Sequence, residues 1–150
     1  MLSGNSRALL SLVKYGIGHQ GSPIKEYDWA SIKVLADVQG LTAIVMDGIE
    51  RLPDQLRPPK TLTLQWIGEV LQSYERRYPD YEKAIGELAG FYRTQEIKLM
   101  ILKGYGLSLN YPKPNHRPCG DIDTWFFGKQ QEADVLLTKE LGINVDTSDS

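Results

Sequence analysis

Two aspartates, Asp121 and Asp123, stand one residue apart in Gly-Asp-Ile-Asp-Thr-Trp-Phe-Phe, residues 120–127. Lys103 and Gly104 precede them in Leu-Lys-Gly-Tyr-Gly, and Arg117 lies between the two groups. The β-branched and aromatic content of 121–127 reads as a strand stopped by Gly128. Alternation along such a strand places both carboxylates on one face, with Cα atoms roughly 6–7 Å apart. Like charges that close repel unless water or a cation lies between them. Hard cations such as Mg2+ take oxygen ligands and usually keep waters and substrate phosphates in their shell. The expected chemistry is a Mg2+ or Mn2+ site at Asp121 and Asp123, with coordination positions left for a triphosphate. In a two-metal arrangement one ion activates the attacking oxygen and the other steadies the leaving group.

The Lys-Gly turn supplies the complementary half. Gly104 lets the backbone approach a ligand closely, and the helix start that follows offers N–H groups to phosphate oxygens. Lys103 and Arg117 are expected to neutralise phosphate charge, Arg117 through its planar fork. Blander readings stand beside these: two solvated carboxylates, a surface lysine, a turn glycine, and an Arg117 ion pair that relieves the aspartates' repulsion. Cys119 and His116 flank the motif without making a zinc set, which points to structural roles. Ser108 lacks a histidine pattern that would activate it. Trp125 shares the aspartates' face by parity; core packing is expected, with base stacking as the alternative. Glu75–Arg77 reads as a solvated helix face.

The first hundred residues must position this motif, and they read as helices. Asn5 or Ser6 caps a helix carrying Leu9, Leu10, Leu12 and Val13, which ends at Gly16 and Gly18. Asp28 caps the next, with Trp29, Ile32, Leu35 and Ala36 at helical spacing. Gly40 interrupts it and Thr42 caps a third, striped by Ile44, Val45, Ile49 and Leu52. Three prolines make 52–60 a loop. A longer helix over 61–78 carries Leu64, Ile67, Val70, Leu71 and Tyr74, and Pro79 breaks or kinks it. Another helix covers about 81–98, with Ile85, Leu88, Ala89 and Tyr92 on one face. Residues 99–102 then read as a buried strand, 105–110 as a short helix and 130–141 as a helix closed by Gly142. Residues 143–145 start a further strand. The fold class expected is α+β: a mainly helical region over 1–98, then the start of an α/β unit over 99–150.

Composition bounds the function. The chain has 150 residues, 41% hydrophobic and 24% charged, enough for a packed core. A formal charge of -2 supplies no long-range field for nucleic acid. One cysteine excludes an intrachain disulfide and suits a reducing cytoplasm. The N-terminal apolar run is too short and interrupted for a signal peptide, and no run approaches the roughly eighteen apolar residues of a membrane span.

The arrangement Leu-Lys-Gly, then Tyr-Pro, then Arg-Pro-Cys-Gly-Asp-Ile-Asp resembles the uncharacterised nucleotidyltransferase family of bacterial proteins. That family lies within the DNA polymerase β-like nucleotidyltransferase superfamily. The likeness runs over 99–127, and the helical segment 28–52 is similar to the family's N-terminal region. It implies a mixed-sheet nucleotidyltransferase fold and metal-dependent transfer of a nucleotidyl group from an NTP to an unassigned acceptor. Asp121 and Asp123 become metal ligands and Gly104 the phosphate-facing turn. The chain departs from the pattern twice. Tyr105 stands where the superfamily has Gly or Ser, and a third carboxylate is absent unless Asp146 supplies it. A shortened chain of this kind, or an N-terminal piece of a longer one, leaves a non-catalytic nucleotide-binding or interaction module as the alternative.

Overall fold

A computed structural model describes residues 3–23 and 25–143. Seven α-helices and a two-stranded ladder are described, an α+β fold. The helices are α1 (Gly4–Gly16), α2 (Trp29–Val38), α3 (Thr42–Glu50), α4 (Lys60–Val70), α5 (Tyr78–Thr94), α6 (Lys103–Ser108) and α7 (Gln130–Leu141). The strands are β1 (Met100–Ile101) and β2 (Thr124–Trp125), paired antiparallel. The strand expected from Ile143 falls almost wholly, and Asp146 wholly, outside the described residues.

Local signals explain most boundaries. Ser3 rather than Asn5 or Ser6 caps α1, its hydroxyl accepting from the Ser6 N–H. Asp28 caps α2 by accepting from Ser31 N–H. Gly40, at φ +64°, turns the chain between α2 and α3. Thr42 is the first residue of α3 instead of its cap, and its hydroxyl donates back to Asp37. Gly142 takes the left-handed conformation that closes α7.

The helix expected over 61–78 is interrupted. A π-helical turn over Leu71–Glu75 follows α4, and α5 begins at Tyr78 with Pro79 in its first turn. Proline is at home there because the first N–H groups of a helix lack partners anyway. The buried face of α4 also differs from the expected stripe. Trp66 and Val70 enter the core, whereas Leu64, Ile67 and Leu71 are exposed. Trp66 settles the rotation, since it is fully buried and its indole N–H donates to Thr42 O at 3.0 Å.

Two hydrophobic clusters result. The larger gathers Leu12, Ile32, Ala36, Val45, Ile49 and Trp66 with their neighbours from α1 to α4. The smaller joins Tyr92 and Ile97 to Phe126 and Ala133, and so ties the end of α5 to β2 and α7. In the larger cluster α1 and α3 cross so closely that two glycines are obligatory. A Cβ on Gly48 would collide with the Leu12 carbonyl oxygen, and one on Gly16 with that of Ile44. The clashing atoms are backbone and cannot swing aside.

Gly48→Ala is therefore expected to destabilise the fold by about 3 kcal/mol or more. Gly86→Ala, in an open stretch of α5 where a Cβ meets nothing, should stabilise it by about 0.5–1 kcal/mol. Urea denaturation of the two variants beside the parent checks both signs.

Candidate functional site

The β1–β2 ladder brings the two halves of the motif together. Met100 pairs with Trp125 and Ile101 with Thr124, and Leu102 N–H donates to Asp123 O at 2.8 Å. Lys103, one residue on, thereby reaches Asp123: its Nζ lies 3.2 Å from Oδ1. Lys103 is held at φ +32°, unusual for a residue with a side chain. Gly104 packs against the backbone of the aspartate segment, where a Cβ would sit 3.2 Å from Asp121 O. Gly106 meets the end of β1, where a Cβ would come within 2.6 Å of Ile101 O. Arg117 Nη1 donates to Gly104 O at 2.8 Å and to Pro118 O at 3.1 Å. Lys103, Gly104, Arg117, Asp121 and Asp123 thus form one neighbourhood.

Several expectations need correction. The strand expected over 121–127 is only Thr124–Trp125, and Asp121 lies in an exposed bend before it. Strand alternation therefore relates Asp123 to Trp125 but does not fix where Asp121 points. The four-residue strand expected over 99–102 is likewise only Met100–Ile101. Phe127 and Gly128, both at positive φ, turn the chain soon after β2 and so limit its length. Arg117 makes no ion pair with either aspartate among the described residues, because its Nη1 is engaged by backbone carbonyls. Trp125 is not core: it is 52% exposed, beside Phe127 with ring centroids 6.5 Å apart. Ser108 is buried and spent structurally, sharing a 2.8 Å hydrogen bond with Tyr78 and donating to Tyr105 O. Tyr105 stacks on Tyr78 and donates its hydroxyl to Glu82.

The proline-rich loop is anchored from below by charges that local spacing does not reveal. His116 is buried, with Nδ1 2.9 Å from Asp47 Oδ2 on α3 and Nε2 2.9 Å from Glu75 Oε1 in the π turn. Glu75 is thus a partner of the site loop and not merely part of a solvated face. Lys113 Nζ sits 2.6 Å from Asp47 Oδ1, a contact too poorly angled to count as a hydrogen bond, and 3.0 Å from Glu50. Tyr81 donates its hydroxyl to Cys119 O at 2.6 Å. Burial opposes charging of His116, but the bonds to Asp47 and Glu75 outweigh it and raise its pKa above 6.5. Burial raises the Cys119 thiol, against the opposing pull of Arg117. A raised thiol suits an inert residue.

A second set lies nearby on the helices. Lys33 is buried against Trp66 and binds both Asp37, at 2.8 and 2.9 Å, and Glu69. Its i,i+4 spacing to Asp37 was visible in the sequence, whereas the Glu69 partner comes from another helix.

Among the described residues no three His, Cys, Asp or Glu side chains converge as a metal cluster. Two carboxylates on an accessible turn suit Mg2+, which takes one or two protein oxygens and completes its shell with phosphate and water. Asp121 and Asp123 are hard oxygen donors, the ligand type that Mg2+ takes. No described helix is long and apolar enough to cross a membrane.

The profile of the uncharacterised nucleotidyltransferase family matches residues 25–149, and the chain belongs to that family. No curated protein and no solved structure matches the chain.

The His116 anchor makes stability depend on pH with a definite sign. A folded pKa above the unfolded value of about 6.5 gives stability that is fully present below about pH 6.5. It is lost as pH rises through the folded pKa. His116→Gln should cost about 3 kcal/mol at roughly pH 5.5, because it leaves Glu75 without its cation and Asp47 with Lys113 alone. The gap between parent and variant in urea should narrow towards about pH 9; a gap that widens with pH would contradict the assignment.

Proposed function

From this family membership we propose that the protein transfers a nucleotidyl group from a nucleoside triphosphate to an acceptor, with Asp121 and Asp123 as ligands of the Mg2+ that accompanies the triphosphate. The observation that carries the reading is the contact of Lys103 with Asp123, twenty residues apart in sequence, beside Gly104 and Arg117. An acidic pair and a cationic turn side by side are what a metal–triphosphate complex needs.

Each residue has a task in this reading. Asp121 and Asp123 offer carboxylate oxygens, and Lys103 moves from Asp123 onto phosphate oxygens as charge arrives. Gly104 keeps the turn low against the aspartate segment. Arg117 holds that turn through the Gly104 carbonyl and presents its remaining N–H groups. Trp125, exposed and on Asp123's side by strand parity, offers a face on which the base stacks. The acceptor oxygen forms a bond to the α-phosphorus, the bond from that phosphorus to the bridging oxygen breaks, and pyrophosphate leaves with the electron pair. The bound cation counters the charge that builds on the phosphoryl oxygens.

Calorimetry with ATP and Mn2+ tests the site. The combined substitution Asp121→Asn and Asp123→Asn should weaken metal–nucleotide binding by about tenfold or more. Equal binding by parent and variant would sink the assignment. Trp125→Ala should cost about 1–3 kcal/mol of nucleotide affinity and leave the metal requirement in place.

A further inference from the structure

A cavity of about 210 Å3 adjoins the motif, lined in part by Arg117, Pro118 and Cys119. Its lining carries both signs of charge. Asp37 and Glu69 are both bound to Lys33, and Thr42 donates to Asp37 at 2.7 Å. Two carboxylates share one lysine there, leaving hydrogen-bond acceptors in excess. Arg77 and Arg117 line the same cavity. Among the described residues neither arginine forms an ion pair. Tyrosines, among them Tyr74 and Tyr81, complete the lining.

The cavity is shaped by the irregular turn after α4. The π turn brings Ser73 and Tyr74 to the cavity while Glu75 reaches His116. Such turns store poorer backbone geometry and are frequent at functional sites. Arg117 connects cavity and motif, since it lines the one and binds Gly104 O in the other. Cys119, also in the lining, lies two residues before Asp121.

The geometry points to an acceptor site for a phosphorylated polyol of the sugar-phosphate class. The phosphate lies between the two guanidinium groups, which are suited to bidentate contact with its oxygens. The hydroxyls donate to Asp37 and Glu69, and the C–H face of the sugar packs on tyrosine. The assignment as acceptor rests on the nucleotidyl-transfer reading, whereas binding in the cavity does not. Because Arg117 both lines the cavity and binds Gly104 O of the motif, the acceptor's phosphate oxygen attacks the α-phosphorus. A new P–O–P linkage forms, pyrophosphate leaves with the bond's electrons, and no proton changes hands. The product is a nucleoside diphosphate joined to the polyol.

Calorimetry with hexose, pentose and glycerol phosphates, and with glucose and inorganic phosphate as component controls, tests the site without metal. At least one polyol phosphate should bind saturably, at least about tenfold more tightly than either component. Arg77→Gln should weaken it about tenfold; this side chain is exposed and unpaired, so the fold is expected to survive, as thermal melting verifies. Ser73→Leu, which fills the cavity from the π turn, should abolish binding. The Asp121→Asn and Asp123→Asn variant should retain it, so loss of nucleotide binding and loss of cavity binding are read separately. Absence of saturable binding across the panel, equal affinity for glucose or phosphate alone, or indifference to both cavity substitutions overturns the site. Binding that leaves pyrophosphate release from ATP and Mg2+ unchanged overturns its role as acceptor.

Discussion

The bonds of His116 to Asp47 and Glu75 hold the rest of the site in place. A protonated imidazole has two donors pointing in opposite directions, so it can be buried only where two acceptors face each other. One comes from α3 and the other from the turn after α4. That turn has to be a π turn for the geometry to close. One extra residue in a helical turn rotates everything after it by about 100° relative to a regular helix. Along a regular α4, Glu75 would face elsewhere, and the imidazolium would lose one of its two counter-charges. Leaving a buried charge uncompensated costs several kcal/mol, more than the poorer hydrogen bonding of one wide turn.

Asp47 can serve as the fixed end of this arrangement because its helix is closely packed on both sides of the residue. Its chain neighbour Gly48 lies against the α1 backbone, and Val45 and Ile49 are fully buried. From this frame the loop runs upward through successive ties: Lys113 to Asp47 and Glu50, His116 to its two acids, Arg117 to Gly104 O, and Cys119 O to Tyr81. The loop therefore arrives at Asp121 with its direction set. The ladder adds little by itself, since two residues per strand are far too few to be stable in isolation. What fixes Asp123 beside Lys103 is the loop on one side and Phe126, buried with Tyr92 and Ala133, on the other.

Sequence patterns revealed the parts governed by near neighbours. The caps at Asp28 and Gly142, the α3 stripe and the bounds of α7 depend on residues within a turn or two, and periodicity reports them well. The Lys-Gly and Asp-Ile-Asp segments stood out by their residue types, and the ladder brings them side by side. The rotation of α4 was not, because Leu64, Ile67 and Leu71 form as good a stripe as Leu62, Trp66 and Val70. Only the Trp66 bond to Thr42 O, twenty-four residues away, decides between them. His116 was hidden for the same reason: its partners lie forty-one and sixty-nine residues distant, and an isolated histidine carries no local sign of them. Strand propensity overstated 121–127, since β-branched and aromatic residues favour a pleated surface but cannot supply the missing neighbouring strand.

The division between buried and exposed charge has a functional logic. The His116 network is desolvated, so its geometry is expensive to alter and it keeps the loop in one conformation. The Lys103–Asp123 pair is different: the lysine side chain is 74% exposed and the contact is 3.2 Å. Pairs of this kind contribute at most about 1 kcal/mol, so either partner can exchange the other for a stronger ligand with little loss. On the proposed reading, a nucleotide and its cation would offer both exchanges at once, phosphate oxygen for the lysine and metal for the aspartate. A site that must bind and release such a ligand benefits from weak internal pairing on a rigid support, and this chain places the two kinds of interaction on opposite sides of the same loop.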